Sequence, residues 1–162
     1  VYFPRVLLPM ATIVTPIVDL VLGLVVLLGM MIWKDEWPGG PQLLLAPAFL
    51  LLAAVTVLGL VLGLSAINVR YRDVAYAIPV FMQVLPLLSG VPVTISSLPT
   101  HWQWILACNP MTTVIAGWRW AVLDTPAPDA GQAALGVAVA LLLLAAGLAY
   151  FRSSEPRFAD NI

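Results

Sequence analysis

The sequence predicts an all-helical membrane protein with four transmembrane helices and both termini in the cytoplasm. Hydrophobic residues make up 62% of the 162 residues and charged residues only 9%, with a mean hydropathy of +1.01. This composition lies far outside that of a soluble domain. Four apolar stretches each exceed the roughly 20 residues that a helix needs to cross a bilayer core. One short polar loop, one arginine-rich loop and one tryptophan-rich loop separate them, so function has to be argued from topology and loops.

The predicted spans carry few polar residues. Asp19 lies midway through the first span, where an acidic side chain tends to face a bundle interior or water. A hydrogen bond to a neighbouring helix is favoured over proton coupling for it. Gln83 lies in a third span that three prolines interrupt, and this bent, mildly polar helix is suited to line a conduit. Gly59 and Gly63 have the small-xxx-small spacing of close helix contacts. The spans cover residues 6–33, 43–67, 74–95 and 130–151.

The basic residues predict the orientation of these spans. Lysine and arginine near the ends of spans are retained in the cytoplasm. On one predicted side lie Arg5, Arg70, Arg72, Arg152 and Arg157, and on the other only Lys34 and Arg119. The side with five arginines is therefore predicted to be cytoplasmic, together with a tail over residues 152–162. The six tryptophans fall at the outer ends of the spans and the four tyrosines at the inner ends, which supports this orientation independently.

The inner loop from Asn68 to Asp73 allows two interpretations that are compatible. In the first, Arg70 and Arg72 anchor the topology, and the Asp73 carboxylate caps the third span, where free amides and the positive end of the helix dipole meet. In the second, the two guanidinium groups form a docking surface for a cytoplasmic partner.

The outer loop over residues 96–129 is too apolar for a solvated loop and too polar for two further spans. We expect a helical hairpin that re-enters the membrane or lies at its interface. Asn109 followed by Pro110 predicts a helix start, and a helix from Pro110 to Leu123 with a partner helix over residues 98–108. The longer helix is amphipathic. Its predicted apolar face carries Val114, Ile115, Trp118, Ala121 and Val122, and the opposite face carries Thr112, Thr113, Ala116, Arg119 and Trp120.

The tryptophans of this hairpin have two interpretations. Their rings can stack on the apolar faces of sugar rings, which makes Trp102, Trp104, Trp118 and Trp120 candidates for contact with a glycan. A plain interfacial aromatic belt accounts for any one of them equally well.

The scarcity of some residue types excludes several chemistries. Lys34 is the only lysine and no glycine-rich loop precedes it, so the chain carries no P-loop and is not expected to hydrolyse ATP. Cys108 is the only cysteine and His101 the only histidine, which argues against a metal site. We expect no catalytic residue, no metal, no cofactor and no nucleic-acid partner for this chain.

Four short motifs, in order along the chain, resemble those of a known family. They are Tyr2-Phe3-Pro4-Arg5, Asn68-Val69-Arg70-Tyr71-Arg72-Asp73, Asn109-Pro110-Met111 and Glu155-Pro156-Arg157-Phe158-Ala159-Asp160. The chain resembles the permease subunit of type-2 ABC exporters, in the polysaccharide and polyol phosphate branch that serves O-antigen, capsule and teichoic acid. The chain opens without an initiator methionine or a basic anchor, and the resemblance implies a fragment with the last four of six membrane helices.

The resemblance implies a mechanism and a set of partners. Two permease chains would pair with two copies of a separate ATPase, which binds ATP and magnesium, in the bacterial inner membrane. The cargo would be a lipid-linked glycan that enters from the cytoplasmic leaflet, passes through a conduit between the two permeases and leaves near the tryptophan-bearing hairpin. Membrane lipid is a further implied partner. ATPase coupling is implied for Tyr2, Phe3, Pro4, Arg5, Arg70, Tyr71, Arg72, Asp73, Glu155 and Phe158. Candidate pathway residues are Asp19, Gln83, Trp102, Trp104, Trp118, Arg119 and Trp120.

Two rival functions stay open at this point. The same permease architecture serves exporters of drugs or lipids. The chain could instead be an integral membrane transferase, which would need acidic or histidine residues converging on one face. Asp124 and Asp129 lie in an outer loop among prolines, where a solvated turn is favoured.

Overall fold

The computed structural model describes residues 14–35, 40–71, 73–91 and 97–159. Within these ranges it contains six α-helices and one 3-10 turn and no β-strand, which confirms the all-helical prediction. The 3-10 turn covers Pro41–Leu45 and leads directly into α2. The helices are α1 (Val14–Trp33), α2 (Ala46–Arg70), α3 (Val74–Leu88), α4 (Thr100–Ala107), α5 (Pro110–Leu123) and α6 (Ala130–Ala159).

Two of the described helical segments are long and apolar enough to cross a membrane. They cover Pro41–Asn68 and Ala130–Ser154. Two further apolar segments, Val18–Trp33 and Val74–Leu88, are shorter than a full span within the described residues. The prediction of four crossings and of cytoplasmic termini therefore stays a prediction, whereas two membrane-capable helices are present.

The largest interface of the fold joins α2 and α6, which pack with their backbones in close contact. An ideal Cβ atom on Gly59 would lie 2.6 Å from the Leu144 amide nitrogen, and one on Gly147 would collide with the Gly59 carbonyl oxygen. Because neither glycine has a side chain, the two helices approach closely enough to gain dispersion contacts along their backbones. The predicted role of Gly59 in a close helix contact is confirmed.

The order of contacts shows that α2 and α6 run parallel. Gly59 meets Gly147, and one to two turns further along α2, Leu62 and Ala66 pack against Phe151. Between two parallel helices the chain has to return to the end from which it started. The return is made by α3 and the helical hairpin of α4 and α5, which lies at the end where α2 and α6 begin. We call this the hairpin end, and the end with the turn from Tyr71 to Asp73 the loop end.

Burial in this chain favours small side chains. The buried apolar residues include five alanines, and the buried polar residues are threonines and one serine. Large apolar side chains such as Val25, Phe81 and Leu142 are 62%, 69% and 68% exposed. Lipid tails are as apolar as these side chains, so membrane helices associate through small residues that permit close approach. This burial pattern fits a protein whose outer surface is covered by lipid.

The hairpin helix α5 packs against both long helices. The Phe49 ring of α2 occupies the space where a side chain on Gly117 would lie, and Thr113 fits against Gly136 of α6. The predicted faces of α5 are wrong in part, because Thr112 and Thr113 are only 3% and 4% exposed although they were assigned to the polar face. The small side chain of Thr113 permits the close contact with Gly136 of α6.

Helix α1 joins this assembly near its C-terminal end. Met31 of α1 packs with Ala46, Ala121 and Val122, and Leu27 and Trp118 border the same cluster. Gly23 and Gly29 face open space, with no atom of another residue near an ideal Cβ. Most of the length of α1 is therefore exposed in the single chain.

Two predicted helix boundaries and one predicted capping interaction differ from the structure. Helix α3 ends at Leu88 rather than at residue 95, because Ser89 leaves the helix and Gly90 adopts a positive φ of 74°. Helix α6 continues to Ala159, so the predicted tail is helical over most of its length. Asp73 occupies the N-cap position of α3, but its side chain makes no capping hydrogen bond. Its backbone is helical (φ −66°, ψ −21°), whereas a capping side chain needs an extended backbone to reach the free amides.

The glycine contact predicts a difference between two alanine substitutions. Gly147→Ala should destabilise the protein by about 1–3 kcal/mol, because the new methyl group overlaps the backbone of α2. Gly23→Ala is the matched control, and it should be neutral or slightly stabilising, since alanine is favoured over glycine in a helix and meets nothing there. Thermal unfolding of both variants in the same detergent measures the difference. Equal melting temperatures would contradict the close contact.

Candidate functional site

The residues with the most polar contacts lie at the hairpin end, around the start of α5. Asn109 caps α5 with an extended backbone (φ −88°, ψ 113°), and its Oδ1 accepts a hydrogen bond from the Met111 amide at 3.1 Å. Pro110 follows in the first turn, where a missing amide hydrogen costs nothing. The predicted helix from Pro110 to Leu123 and its cap are confirmed residue by residue.

The other half of the Asn109 side chain reaches the end of α3. Its Nδ2 donates to the Leu88 carbonyl oxygen at 3.3 Å and to the Ser89 hydroxyl oxygen at 3.1 Å. Farther along α5, the Arg119 guanidinium donates to the carbonyl oxygens of Gly90 and Val91 at 3.4 Å and 2.8 Å. The N-cap side chain of α5 and the Arg119 side chain therefore both bond to the segment in which α3 ends.

A second pair of contacts joins the hairpin to α6. The Gln132 side chain donates to Gln103 Oε1 at 3.2 Å, and Gln103 donates in turn to the Leu98 carbonyl oxygen at 2.7 Å. Asp129 caps α6, because its carboxylate accepts a hydrogen bond from the backbone N–H of Gln132 at 3.0 Å. Helix α4 is thereby fixed against the first turn of α6.

The end of α5 is tied to the start of α2. Asp124 adopts a left-handed backbone conformation (φ 52°) at the C-cap of α5, and its carboxylate accepts from Gln42 Nε2 at 2.6 Å. Asp124 lies at the end of α5 and Asp129 lies just before α6, and each carboxylate accepts a hydrogen bond from a glutamine. Their arrangement is that of structural caps rather than of a pair of carboxylates facing one substrate.

The four tryptophans of the hairpin fall into two classes by exposure. Trp102 and Trp104 of α4 are 52% and 45% exposed, and the Trp102 ring lies 5.5 Å from that of His101 between centroids. Trp118 and Trp120 of α5 are half-buried, and Trp118 borders the core cluster around Met31. The exposed rings of α4 are therefore the ones available to a ligand or to a lipid headgroup.

Two of the remaining predicted pathway residues, Asp19 and Gln83, lie away from the hairpin. Asp19 and Gln83 are exposed on α1 and α3. The predicted hydrogen bond from Asp19 to a neighbouring helix is not formed within the part of the chain that the structure describes. Arg119 is half-buried, with its guanidinium bonded to backbone carbonyls.

The predicted coupling residues are described only in part. Tyr71 and Asp73 are exposed in the tight turn between α2 and α3, in which the Val74 amide donates to the Tyr71 carbonyl at 3.1 Å. The following residues lie outside the described residues, in their entirety or in their side chains: Tyr2, Phe3, Pro4, Arg5, Arg70, Arg72, Glu155 and Phe158. The coupling assignment stays a prediction.

Sequence reasoning missed the three glutamines of this end and the second role of Asn109. Gln103 and Gln132 are 29 positions apart, and Gln42 and Asp124 are 82 apart, so no local pattern links them. The signal that the sequence offered for these contacts was the rarity of amide side chains beside apolar spans. A polar group at the end of a membrane helix has few partners except another helix end.

Comparison with known families decides the class of the protein. Residues 3–123 match the ABC-2 type transporter family. The chain belongs to this family. The match includes α1 to α5 and ends before α6, which nevertheless forms the largest interface of the fold. The family is one of membrane transporters. The resemblance drawn from the sequence motifs is confirmed at this level.

A bacterial relative extends the comparison over the whole chain. The protein is 27% identical over 164 aligned positions to the O-antigen export system permease protein RfbA of Myxococcus xanthus. The alignment covers all of this chain and 63% of the relative, so the chain spans less than two thirds of that protein's length. No solved structure matches the chain.

The cap of α6 gives a test of whether Asp129 acts by structure or by acid–base chemistry. Asp129→Ala should lower stability by about 0.5–2 kcal/mol through loss of the N-cap, whereas Asp129→Asn should stay near wild type because asparagine caps equally well. Thermal unfolding and transport are measured on both variants. A loss of activity in Asp129→Asn with unchanged stability would contradict the structural role and favour a membrane transferase.

Proposed function

We propose that the chain is part of the permease of an ATP-driven exporter that moves a lipid-linked polysaccharide or polyol phosphate across the bacterial inner membrane. The observation that carries this proposal is the similarity over the full chain to an O-antigen export permease, within a family of membrane transport subunits. The four motifs of the sequence point to the same branch of the family.

The energy for export comes from a separate ATP-binding subunit in this proposal. The chain has a single lysine, Lys34, with no P-loop around it. The partner binds ATP and magnesium and docks at the loop end, where Arg70 and Arg72 flank the exposed Tyr71. Two copies of the permease pair around the conduit, as expected for a transporter with two ATPase subunits.

The hairpin end offers groups that suit a polyhydroxylated cargo. Trp102 and Trp104 expose aromatic rings, and the neighbouring Gln103 and Gln132 place amide groups beside them. Aromatic rings stack on sugars, and amides donate to and accept from hydroxyl groups. A permease for drugs or apolar lipids would make less use of aromatic rings combined with amide groups. This combination therefore favours a glycan as the cargo.

Loss of a partner on charge reversal tests the docking part of the proposal. The full-length protein with Arg70→Glu and Arg72→Glu should no longer co-purify with an ATP-hydrolysing subunit in mild detergent, because opposite charges replace both guanidinium groups. Lys34→Glu is the control, since Lys34 is on the other predicted side of the membrane. Wild-type protein that folds well but binds no ATPase would overturn the proposed function.

Substitution of the two exposed tryptophans tests whether they contact a glycan cargo. Trp102→Leu combined with Trp104→Leu should lower export of the glycan by about tenfold, since each aromatic contact contributes roughly 0.5–1.5 kcal/mol. Trp33→Leu is the matched control, because Trp33 is 88% exposed at the end of α1 and belongs to no hairpin helix. Export is measured by the appearance of the polymer at the cell surface. Equal export in the double variant and the control would assign Trp102 and Trp104 to a plain interfacial belt.

A further inference from the structure

Helix α3 is fixed in the chain chiefly at its hairpin end. None of its described residues is buried, and Val80, Phe81 and Leu87 are 62%, 69% and 65% exposed. Apolar packing within the chain therefore contributes little to its position. The side-chain hydrogen bonds that tie the end of α3 to the hairpin come from Asn109 and Arg119.

We call this set of contacts the α3 clasp. It consists of the Asn109 and Arg119 side chains, the Ser89 hydroxyl, and the carbonyl groups of Leu88, Gly90 and Val91. The Ser89 hydroxyl donates to the Leu85 carbonyl at 2.8 Å, so its oxygen is free to accept from Asn109 Nδ2. Every bond of the clasp thus has a defined donor and acceptor.

The clasp answers a physical need of the helix end. The last carbonyl groups of an α-helix have no partner within the helix, and in an apolar environment an unpaired carbonyl is costly. Leu88 carries one of these last carbonyl groups, and Asn109 donates to it. Gly90 and Val91 lie just beyond the helix, where the positive φ of Gly90 turns the chain and their carbonyls accept hydrogen bonds from α5. A guanidinium group satisfies both with charge-assisted bonds, and its positive charge is favourable at the negative end of the helix dipole.

We propose that Arg119, together with Asn109, is a positioning residue that anchors the hairpin end of α3 to α5. Two of the five guanidinium N–H donors bond to backbone carbonyls, and through them Arg119 positions the end of α3 against the hairpin. Since the other end of α3 begins at the Tyr71–Asp73 turn, the anchored helix transmits a movement of that turn to the hairpin. This transmission, unlike the anchoring, rests on the proposed function.

Two substitutions remove the clasp selectively. Asn109→Asp keeps the oxygen that caps α5 but replaces the donor of the clasp with an acceptor. Arg119→Met keeps the length of the side chain and removes all donors, whereas Arg119→Lys keeps the charge and restores part of the bonding. Gln42→Leu is the control, because it breaks a hairpin hydrogen bond to Asp124 that does not involve α3.

The position of α3 is measured by spin-label distances in the full-length protein in lipid nanodiscs. Labels are placed at Val80→Cys on α3 and Leu123→Cys on α5, both at exposed positions. Other cysteines are replaced by serine, including Cys108, whose thiol donates to the Trp104 carbonyl, a contact that serine can also make. We expect Arg119→Met to raise the population of displaced distances by about tenfold, because it removes hydrogen bonds from a charged donor. Asn109→Asp should have an effect of about the same size, because it loses two neutral hydrogen bonds and places a carboxylate against the Leu88 carbonyl.

The lysine variant and the control each have an expected result. Arg119→Lys should recover part of the wild-type distance distribution, and Gln42→Leu should leave it unchanged. An unchanged distribution in both Asn109→Asp and Arg119→Met overturns the anchoring, and so does an equal displacement in Gln42→Leu. If either variant fails to fold, Ser89→Ala and Arg119→Lys are measured instead, and the absence of any displacement in both overturns the proposal.

Transport measurements separate this inference from the proposed function. In a transporter with its ATPase, Arg119→Met should lower export while ATP hydrolysis continues, and Arg119→Lys should restore part of the export. If no ATPase binds the full-length protein, the proposed function fails, yet the spin-label distances still decide the anchoring. If Arg119→Met displaces α3 and export is unchanged, the transmission by α3 is overturned.

Discussion

The close backbone contact between Gly59 and Gly147 is the constraint on which the rest of the structure depends. It fixes α2 and α6 as a parallel pair and leaves no room for a side chain at the crossing. In a membrane the hydrophobic effect does not drive helices together, so close packing of small residues has to do so. The exposed leucines and valines of the same helices then face lipid, and alanines and threonines are prominent among the buried residues.

The parallel pair also explains why polar contacts gather at one end. The chain has to return to that end between α2 and α6, and it does so with short helices whose ends carry unpaired backbone groups. Asn109, Arg119 and Asp129 each bond to a backbone group at or near a helix end, and Asp124 bonds to the Gln42 side chain before α2. The hairpin is therefore a defined surface with exposed aromatic rings, and not a solvated loop.

Part of this fold follows from local sequence signals. The Asn109–Pro110 start, the end of α5 at Leu123 and the glycine spacing in α2 depend on neighbouring residues, and all three match the structure. The family likewise follows from short motifs that are contiguous in the sequence. These features need no knowledge of the rest of the chain.

Other features depend on tertiary contacts that no local pattern reveals. Amphipathicity assigned Thr112 and Thr113 to the polar face, but the crossing with α6 buries them because small side chains are needed there. Apolar residues beyond Leu88 extended the predicted third span, whereas the turn at Gly90 ends it. Arg119 was a candidate pathway residue, and the carbonyls that accept its hydrogen bonds lie almost 30 positions away in the sequence.

Disulfide cross-linking in membranes tests the parallel α2–α6 pair most directly. With the other cysteines of the full-length protein replaced by serine, Ala66→Cys and Phe151→Cys should form a disulfide on mild oxidation, because the two residues belong to one buried cluster. Ala66→Cys with Gly136→Cys should not, since Gly136 packs against Thr113 at the opposite end of the pair. Cross-linking of the second pair and not of the first would contradict the arrangement from which the hairpin end and its site are derived.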